Sequence, residues 1–218
     1  MPRNKYPEET EKKIIQEAMN QFMTKGYDNT SVQDIIDATG LSKGAIYHHF
    51  DSKESILLRV YAQIEERTAR DMMRIVHDEK MNGLEKLQAM FFNSCSDQEH
   101  IDFIASVPNL LENPRFLALQ LKSTIEDVVP NYIYPVIQEG IADGSICCKY
   151  PLEAAHVLML LTNIWMNPLI YTNEEEKIEH KMEIFRLLLR ALGIEGIHQG
   201  LGDHIHNVMD AADLYSSK

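Results

Sequence analysis

The stretch from Asn29 to Lys53 constrains the fold of this chain more than any other. Val32, Ile35 and Ile36 recur at helical spacing and predict a short helix with one buried face. Gly40 follows directly and can adopt the left-handed backbone conformation that ends a helix. A second short helical pattern begins only a few residues later. The stretch therefore predicts two short helices joined by a tight turn.

Capping residues indicate where each helix begins. Thr30 is the expected N-cap of the first short helix, and Gln33 is placed to close a capping box. Ser42 is the expected N-cap of the second, which runs from Lys43 to about His49. Ser52 is then placed to cap a third helix. Three start signals in so short a span favour a compact helical bundle.

The second short helix has two different faces. Ile46 and Phe50 are expected to point inward, while the outward arc holds Lys43, Gly44, Tyr47 and His48. Lysine and tyrosine can contact phosphates, and histidine can reach a phosphate or a base edge. This layout is typical of a DNA-reading helix-turn-helix. The alternative from the pattern alone is an ordinary helical hairpin with a solvated polar face.

A family resemblance favours the first interpretation. Residues 30–57 read TSVQDIIDATGLSKGAIYHHFDSKESIL, which resembles the DNA-binding domain of TetR-family transcriptional regulators, and the likeness covers residues 8 to about 58. It implies an all-α fold, with a three-helix DNA-binding bundle in residues 1–51 and a larger helical ligand-binding and dimerisation domain in residues 52–218. The DNA-facing residues that it implies are Thr30, Ser31, Ser42, Lys43, Gly44, Ala45, Tyr47, His48, His49 and Lys53.

The rest of the chain is helical by pattern. A long helix from Ser52 to about Glu79 keeps one apolar face, and no flexible linker precedes it. Further helices are expected over residues 84–95, 98–111, 114–142 with interruptions at Pro130 and Pro135, about 151–171, and 174–192, with an amphipathic helix from about Asp203. No stretch shows the alternation typical of β-strands.

The resemblance implies that the second domain binds a small molecule and dimerises through its last two long helices, about residues 152–171 and 174–192. The candidate interface residues are His156, Leu160, Ile164, Asn167, Phe185 and Leu189. Aromatic and methionine side chains can line an adaptable pocket, and the candidates are Phe91, Phe92, Phe103, Phe116, Tyr134, Met159, Trp165 and Met166. For each of these residues the alternative is ordinary core filling.

Charge is unevenly distributed along the chain. The net charge of −12 argues against a protein that coats nucleic acid. Residues 1–55 hold 7 basic and 9 acidic residues, against 14 and 24 in the remainder. A local basic patch, including Arg3 and Lys5 of an N-terminal arm, can still face phosphates, so DNA affinity should fall as salt rises.

The cysteine pattern favours a reducing, cytoplasmic compartment, because three cysteines give no disulfide framework. The adjacent pair Cys147 and Cys148 leaves a redox or metal sensor open beside the simpler reading of a turn. His204 and His206 lack enough partners for a metal site. No metal or cofactor is expected. Neither is a membrane span, because the most apolar window, residues 152–171, is too polar.

The expected function is a DNA-binding transcriptional repressor. It would bind a palindromic double-stranded operator as a homodimer and be released by an unknown small-molecule effector. One alternative is a helical module that binds small molecules or proteins without an operator. Another is an enzyme that modifies a small molecule. The sequence lacks a Gly-x-Ser-x-Gly, a phosphate loop, a His-Glu-x-x-His and a dinucleotide fingerprint, so an enzyme is not expected.

Overall fold

The computed structural model describes residues 7–107, 113–170, 175–197 and 200–216, and every regular element in these ranges is helical. This confirms the predicted all-α fold class. The α-helices are α1 (Pro7–Lys25), α2 (Val32–Thr39), α3 (Lys43–His49), α4 (Lys53–Val76), α5 (Gly83–Ser96), α6 (Gln98–Ser106), α7 (Pro114–Ser123), α8 (Tyr134–Asp143), α9 (Pro151–Leu160), α10 (Glu175–Ala191) and α11 (Leu201–Ser216). The predicted arm with Arg3 and Lys5 lies outside the described residues.

One apolar cluster joins the N-terminal helices to the body of the protein. Phe22 of α1, Ile35 of α2 and Ile46 of α3 are fully buried in it. The first half of α4 packs there too, together with Phe103 of α6 and Phe116 of α7. The cluster therefore crosses the predicted domain boundary after residue 51, and α4 leaves the bundle without a linker.

The start of α2 differs from the prediction. Its N-cap is Ser31, and Asp34 rather than Gln33 closes the capping box. Thr30 is buried, and its hydroxyl donates to the Gly26 carbonyl at 2.8 Å. The predicted cap at Thr30 is wrong because the turn after α1 folds back over this hydroxyl, which leaves the next hydroxyl free to cap.

The prolines at 130 and 135 do not interrupt the helical run, contrary to the prediction. The chain stays helical from α7 through α8, because a π-helical segment, Thr124–Ile133, connects them and contains Pro130. Proline has no backbone N–H donor, and the wider π turn accommodates that missing donor. Pro135 lies in the first turn of α8, where no intrahelical donor is required.

Three predicted helix ends lie too far along the chain. Helix α4 ends at Val76 and α6 at Ser106. Helix α9 continues as a second π-helical segment, Leu161–Trp165, which stops three residues before Pro168. The residue before a proline avoids the helical conformation, which accounts for an end ahead of residue 171. No helix in the described ranges is long and apolar enough to cross a membrane.

A second apolar cluster forms the core of the larger body. Leu87 of α5, Val136 of α8, Leu158 of α9 and Phe185 of α10 are fully buried in it. Burying each such side chain contributes about 1.5–3 kcal/mol relative to leaving it exposed. Phe185 therefore places one face of α10 against the core of its own chain.

A buried lysine ties the end of α4 to this body. The Lys86 Nζ donates to both carboxylate oxygens of Glu139 at 2.6 and 2.8 Å and to the Val76 carbonyl at 2.9 Å. Its side chain is almost fully buried, while that of Glu139 is partly exposed. Both ends of α4 are thus fixed, one in each apolar cluster.

Candidate nucleic-acid interface and cavity

The turn between α2 and α3 holds α3 in a defined orientation. Gly40 ends α2 with φ 66°, and its N–H donates to the Ile36 carbonyl at 2.9 Å. Ser42 then caps α3 by accepting from the Ala45 N–H at 3.2 Å. Ile46 and Phe50 are buried in the bundle. One face of α3 is therefore fixed in the core, and the other faces outward.

The outward surface of α3 carries the residue types that contact DNA. We call it the α3 face, and it consists of Ser42, Lys43, Gly44, Tyr47 and His48, all of them exposed. The Lys43 Nζ lies 5.7 Å from the centroid of the Tyr47 ring, which is 44% exposed despite its apolar area. A cation, two hydroxyls and an imidazole on one side suit phosphates and base edges.

Three residues predicted to face DNA make bonds within the protein. Thr30 is buried, as described above, and the Ser31 hydroxyl caps α2. The Lys53 Nζ donates to the carbonyls of Tyr27 at 2.7 Å and Asp28 at 3.3 Å. Partial burial lowers the pKa of Lys53. These side chains join the start of α4 and the start of α2 to the turn after α1.

Ala45 and His49 lie at the edge of the α3 face and are half-buried. The His49 ring lies 5.4 Å from the His48 ring and 6.4 Å from the Phe50 ring, measured between centroids. Its Nε2 is buried without a hydrogen-bond partner in the described part of the chain. His49 therefore packs against the bundle more than His48 does.

An ion pair that the sequence did not indicate braces the start of α2. The Lys25 Nζ lies 2.7 Å from the Asp34 carboxylate. Together with hydrogen bonds from Ser31, this lysine holds the pKa of Asp34 well below its ordinary value. Both side chains are partly exposed, so the pair contributes little to stability. Its main effect is to fix the position of the start of α2 relative to the end of α1.

The second candidate site is a cavity of about 200 Å³ in the larger body. Its wall combines α4, α5, α6, α7, α9, α11 and both π-helical segments. Of the predicted pocket residues, Phe91, Met159 and Met166 line it. The others lie elsewhere: Phe92 is 55% exposed, Phe103 and Phe116 are in the N-terminal cluster, and Tyr134 and Trp165 pack against the body core.

Polar wall residues were missing from the sequence prediction. Glu65 projects from α4 and accepts a hydrogen bond from the Ser123 hydroxyl at 3.2 Å, and burial raises its pKa. Burial also lowers the pKa of His100 to about 4 and lowers that of His204. A signal did exist, because Glu65 lies four residues after Tyr61 on the apolar face of α4.

The predicted dimer residues divide into three groups by burial. Phe185 and Leu189 are buried in the body core, while His156, Ile164 and Asn167 are half-buried, the last two in the cavity wall. Leu160 is exposed and belongs to a set of large apolar side chains on α9 and α10. We call this set the apolar strip: Leu152, Val157, Leu160, Ile184, Leu187 and Leu188, each at least 38% exposed.

The cysteine and histidine pairs have simple surroundings. Cys147 is an exposed free thiol, and Cys148 is half-buried. The His204 Nδ1 lies 3.1 Å from the Cys95 carbonyl, so this nitrogen donates. The His206 Nδ1 lies 2.8 Å from the Gly202 carbonyl of its own helix. The two imidazoles thus bind different backbone carbonyls.

Comparisons with known proteins agree with this architecture. The family described as bacterial regulatory proteins, tetR family, matches residues 14–60. The HTH-type transcriptional repressor KstR2 of Mycobacterium tuberculosis is 32% identical over 139 residues, or 60% of this chain and 66% of that protein. Its namesake in Mycolicibacterium smegmatis is 28% identical over 137 residues, or 61% of this chain and 65% of the relative. The chain therefore spans just under two thirds of these relatives.

A solved structure shares the fold over nearly its whole length. A TetR-family transcriptional regulator from Pectobacterium atrosepticum superposes with a TM-score of 0.63 at 19% identity, covering 88% of this chain and 98% of that one. The family match spans α2, α3 and the parts of α1 and α4 that pack with them. The family match and the named relatives, rather than the shared fold, point to a DNA-binding regulator and not to an enzyme. The helix-turn-helix region of the chain, residues 14–60, matches the TetR family of bacterial regulatory proteins.

Proposed function

We propose that this protein is a ligand-responsive transcriptional repressor that binds a palindromic DNA operator as a homodimer. The α3 face carries the proposal, because it is the exposed side of a helix whose other side is locked into the bundle. Two relatives named as HTH-type transcriptional repressors support it. Its site of action would be the bacterial cytoplasm, where operators are found.

The proposed contacts follow from the chemistry of each side chain. Lys43 pairs with a phosphate, and the Tyr47 hydroxyl donates to a phosphate or packs on a sugar. His48 reaches a base edge or a phosphate, and Ser42 and Gly44 allow close approach. The predicted DNA contacts of Thr30, Ser31 and Lys53 become supporting roles, because these side chains make bonds within the chain. Ala45 and His49 border the contact.

A second copy of the chain is the proposed partner for the apolar strip. Two helices that each expose several large apolar side chains favour a protein interface. A two-fold dimer would place two copies of α3 for successive half-sites of a palindrome. Leu160 stays in the proposed interface, and Ile184, Leu187 and Leu188 replace Phe185 and Leu189, which pack in the core of one chain.

The cavity is the proposed effector site, and α4 is its connection to the bundle. The first half of α4 packs in the N-terminal cluster, and its cavity-facing residues run from Tyr61 to Met72. A ligand that binds one position of α4 better than another shifts the orientation of both bundles. An affinity ratio of ~100 between the two states corresponds to about 2.7 kcal/mol of coupling.

The α3 face is tested by replacing its exposed cation and ring together. Lys43→Ala with Tyr47→Ala should reduce affinity for operator DNA at least ~100-fold, because each side chain would lose a hydrogen bond to a charged phosphate, which contributes about 1.5–3 kcal/mol. Fluorescence anisotropy with a labelled fragment of the protein's own promoter region measures this affinity.

A matched control is available on the body. Lys149 and Tyr150 form a similar exposed pair, with the Nζ 5.0 Å from the ring centroid. Lys149→Ala with Tyr150→Ala should leave operator affinity unchanged. Equal loss in both double variants, or none in either, would contradict the assigned DNA-binding face and favour a helical module without an operator.

A further inference from the structure

We propose that the effector cavity selects an organic cation with an apolar body, and that Glu65 is its counter-ion. The inference rests on the proposed function, in which the cavity holds the effector. It goes further by assigning the charge of that effector.

Acidic groups supply the formal charge on the wall. Glu65 and Asp127 both line the cavity, and the wall includes no lysine or arginine among the residues that the structure describes. Asp127 is exposed and accepts from the Asn131 amide at 2.6 Å, which places it toward solvent. Glu65 is half-buried because it faces the cavity. A ligand entering past Asp127 would meet two carboxyl groups and no cationic side chain.

Glu65 has neutral partners, whereas its neighbours are ion-paired. The Ser123 hydroxyl donates to it at 3.2 Å, and the Tyr61 side chain makes the other hydrogen bond. Glu66, the next residue, pairs with Arg59 at 3.2 Å on the surface. Arg67 pairs with Asp97 at 2.6 Å. Arg59 and Arg67 are thus bound to other acids, and Arg70 is exposed and lies outside the cavity wall. A buried carboxylate without a counter-ion is unfavourable.

The two histidines of the wall do not supply the missing charge. Burial lowers the pKa of His100 to about 4 despite the attraction of Asp97, so its imidazole is neutral at pH 7. Burial also lowers the pKa of His204, whose Nδ1 faces the Cys95 carbonyl. An anionic ligand such as a fatty acid would therefore meet only like charge and neutral dipoles.

The remaining wall suits an apolar body. It includes thioethers from α4, α5, α9 and the residue after the second π-helical segment, together with an aromatic ring: Met72, Met90, Met159, Met166 and Phe91. Methionine adapts to irregular shapes, and an aromatic face attracts cations. An alkyl or aryl group of the ligand would occupy this part of the cavity, while the ligand's ammonium group supplies the cationic partner that Glu65 lacks.

Three ligands with one chain and different head groups test the charge directly. Decylamine (protonated at pH 7), decanol and decanoate are titrated into the full-length protein by isothermal calorimetry. We expect the amine to bind at least ~10-fold more tightly than the alcohol, because a hydrogen bond to a charged group contributes about 1.5–3 kcal/mol. Decanoate should bind most weakly.

Two adjacent variants locate the effect. Glu65→Gln keeps the shape and removes the charge, so it should reduce amine affinity at least ~10-fold and leave alcohol affinity unchanged. Glu66→Gln removes an equivalent charge outside the cavity wall and should change neither affinity. Circular dichroism of both variants verifies that they fold.

The outcomes separate this inference from the proposed function. Decanoate binding as tightly as decylamine, an unchanged preference in Glu65→Gln, or no binding of any of the three would each overturn the cation assignment. Operator binding is measured on the same samples without ligand. Retained operator binding would leave the repressor proposal intact, whereas its loss in the unmodified chain would contradict that proposal separately.

Discussion

Single side chains of similar type have different roles in this protein because their surroundings differ. Lys43 and Lys53 both lie in the stretch that resembles the TetR family, but only Lys43 is exposed to solvent. The Lys53 ammonium instead binds two backbone carbonyls and lies 4.2 Å from the centroid of the Tyr27 ring. A sequence pattern can identify the residue type but cannot tell which lysine meets a carbonyl of another segment.

Glu65 allows a prediction about pH. Burial raises its pKa in the folded state above the unfolded value, so the folded protein binds this proton more tightly. The resulting stability is present at low pH and is lost as pH rises through the unfolded pKa toward the raised one. Glu65→Gln should therefore raise the melting temperature relative to the unmodified chain at pH 7 but not at pH 4.

The difference between two variants isolates this effect from His100. The pKa of His100 is lowered to about 4, so its contribution has the opposite sign and is lost as pH falls below its unfolded value. Scanning calorimetry measures the melting temperatures of the unmodified chain, Glu65→Gln and Glu66→Gln from pH 4 to 7. His100 is present in all three proteins, so its contribution cancels in the differences between their melting temperatures. A constant difference between the unmodified chain and Glu65→Gln would show that Glu65 is not perturbed.

At the scale of elements, close helix crossings depend on residues that carry no side chain. A Cβ added to Gly83 at the start of α5 would lie 2.1 Å from the Gly140 nitrogen of α8. Gly83→Ala must therefore separate the two helices and should reduce the free energy of unfolding by about 1–3 kcal/mol. Urea denaturation followed by circular dichroism measures the change.

Gly202 of α11 provides the matched control. A Cβ there would meet no atom within 4 Å. Gly202→Ala should stabilise the protein by about 0.5–1 kcal/mol, because alanine favours a helix more than glycine does. If both substitutions changed stability equally, the close crossing of α5 and α8 would not be a real constraint.

Helix existence was predictable from sequence, whereas the cavity was not. The periodicity of Val32, Ile35 and Ile36 correctly indicated α2, and Gly40 its end. The predicted breaks at Pro130 and Pro135 failed because local rules do not include a π turn held by neighbouring helices. The cavity wall draws on residues from eight separate elements, so only tertiary packing brings Glu65, His100 and Met159 together.

At the scale of the whole molecule, the apolar strip determines the predicted assembly. Ile184→Glu with Leu187→Glu places two charges where a partner would bury apolar surface, and both positions are exposed in the single chain. The variant should fold, sediment as a monomer and bind the operator at least ~10-fold more weakly, because one bundle reads only one half-site. Analytical ultracentrifugation and anisotropy provide the two measurements.

An exposed apolar residue outside the strip is the control for this variant. Ile125, in the first π-helical segment, is 50% exposed and is not part of the cavity wall. Ile125→Glu should remain a dimer with unchanged operator affinity. A dimeric Ile184→Glu, Leu187→Glu variant would place the interface elsewhere on the surface.

We propose that two copies of α3 bind one palindromic DNA site. DNase I footprinting of the protein on its own promoter region tests it most directly. We expect protection of two half-sites related by two-fold symmetry, about one helical turn or a multiple of it apart, with protection lost as salt rises. Absence of protection, or equal protection of scrambled DNA at the same salt concentration, would contradict it.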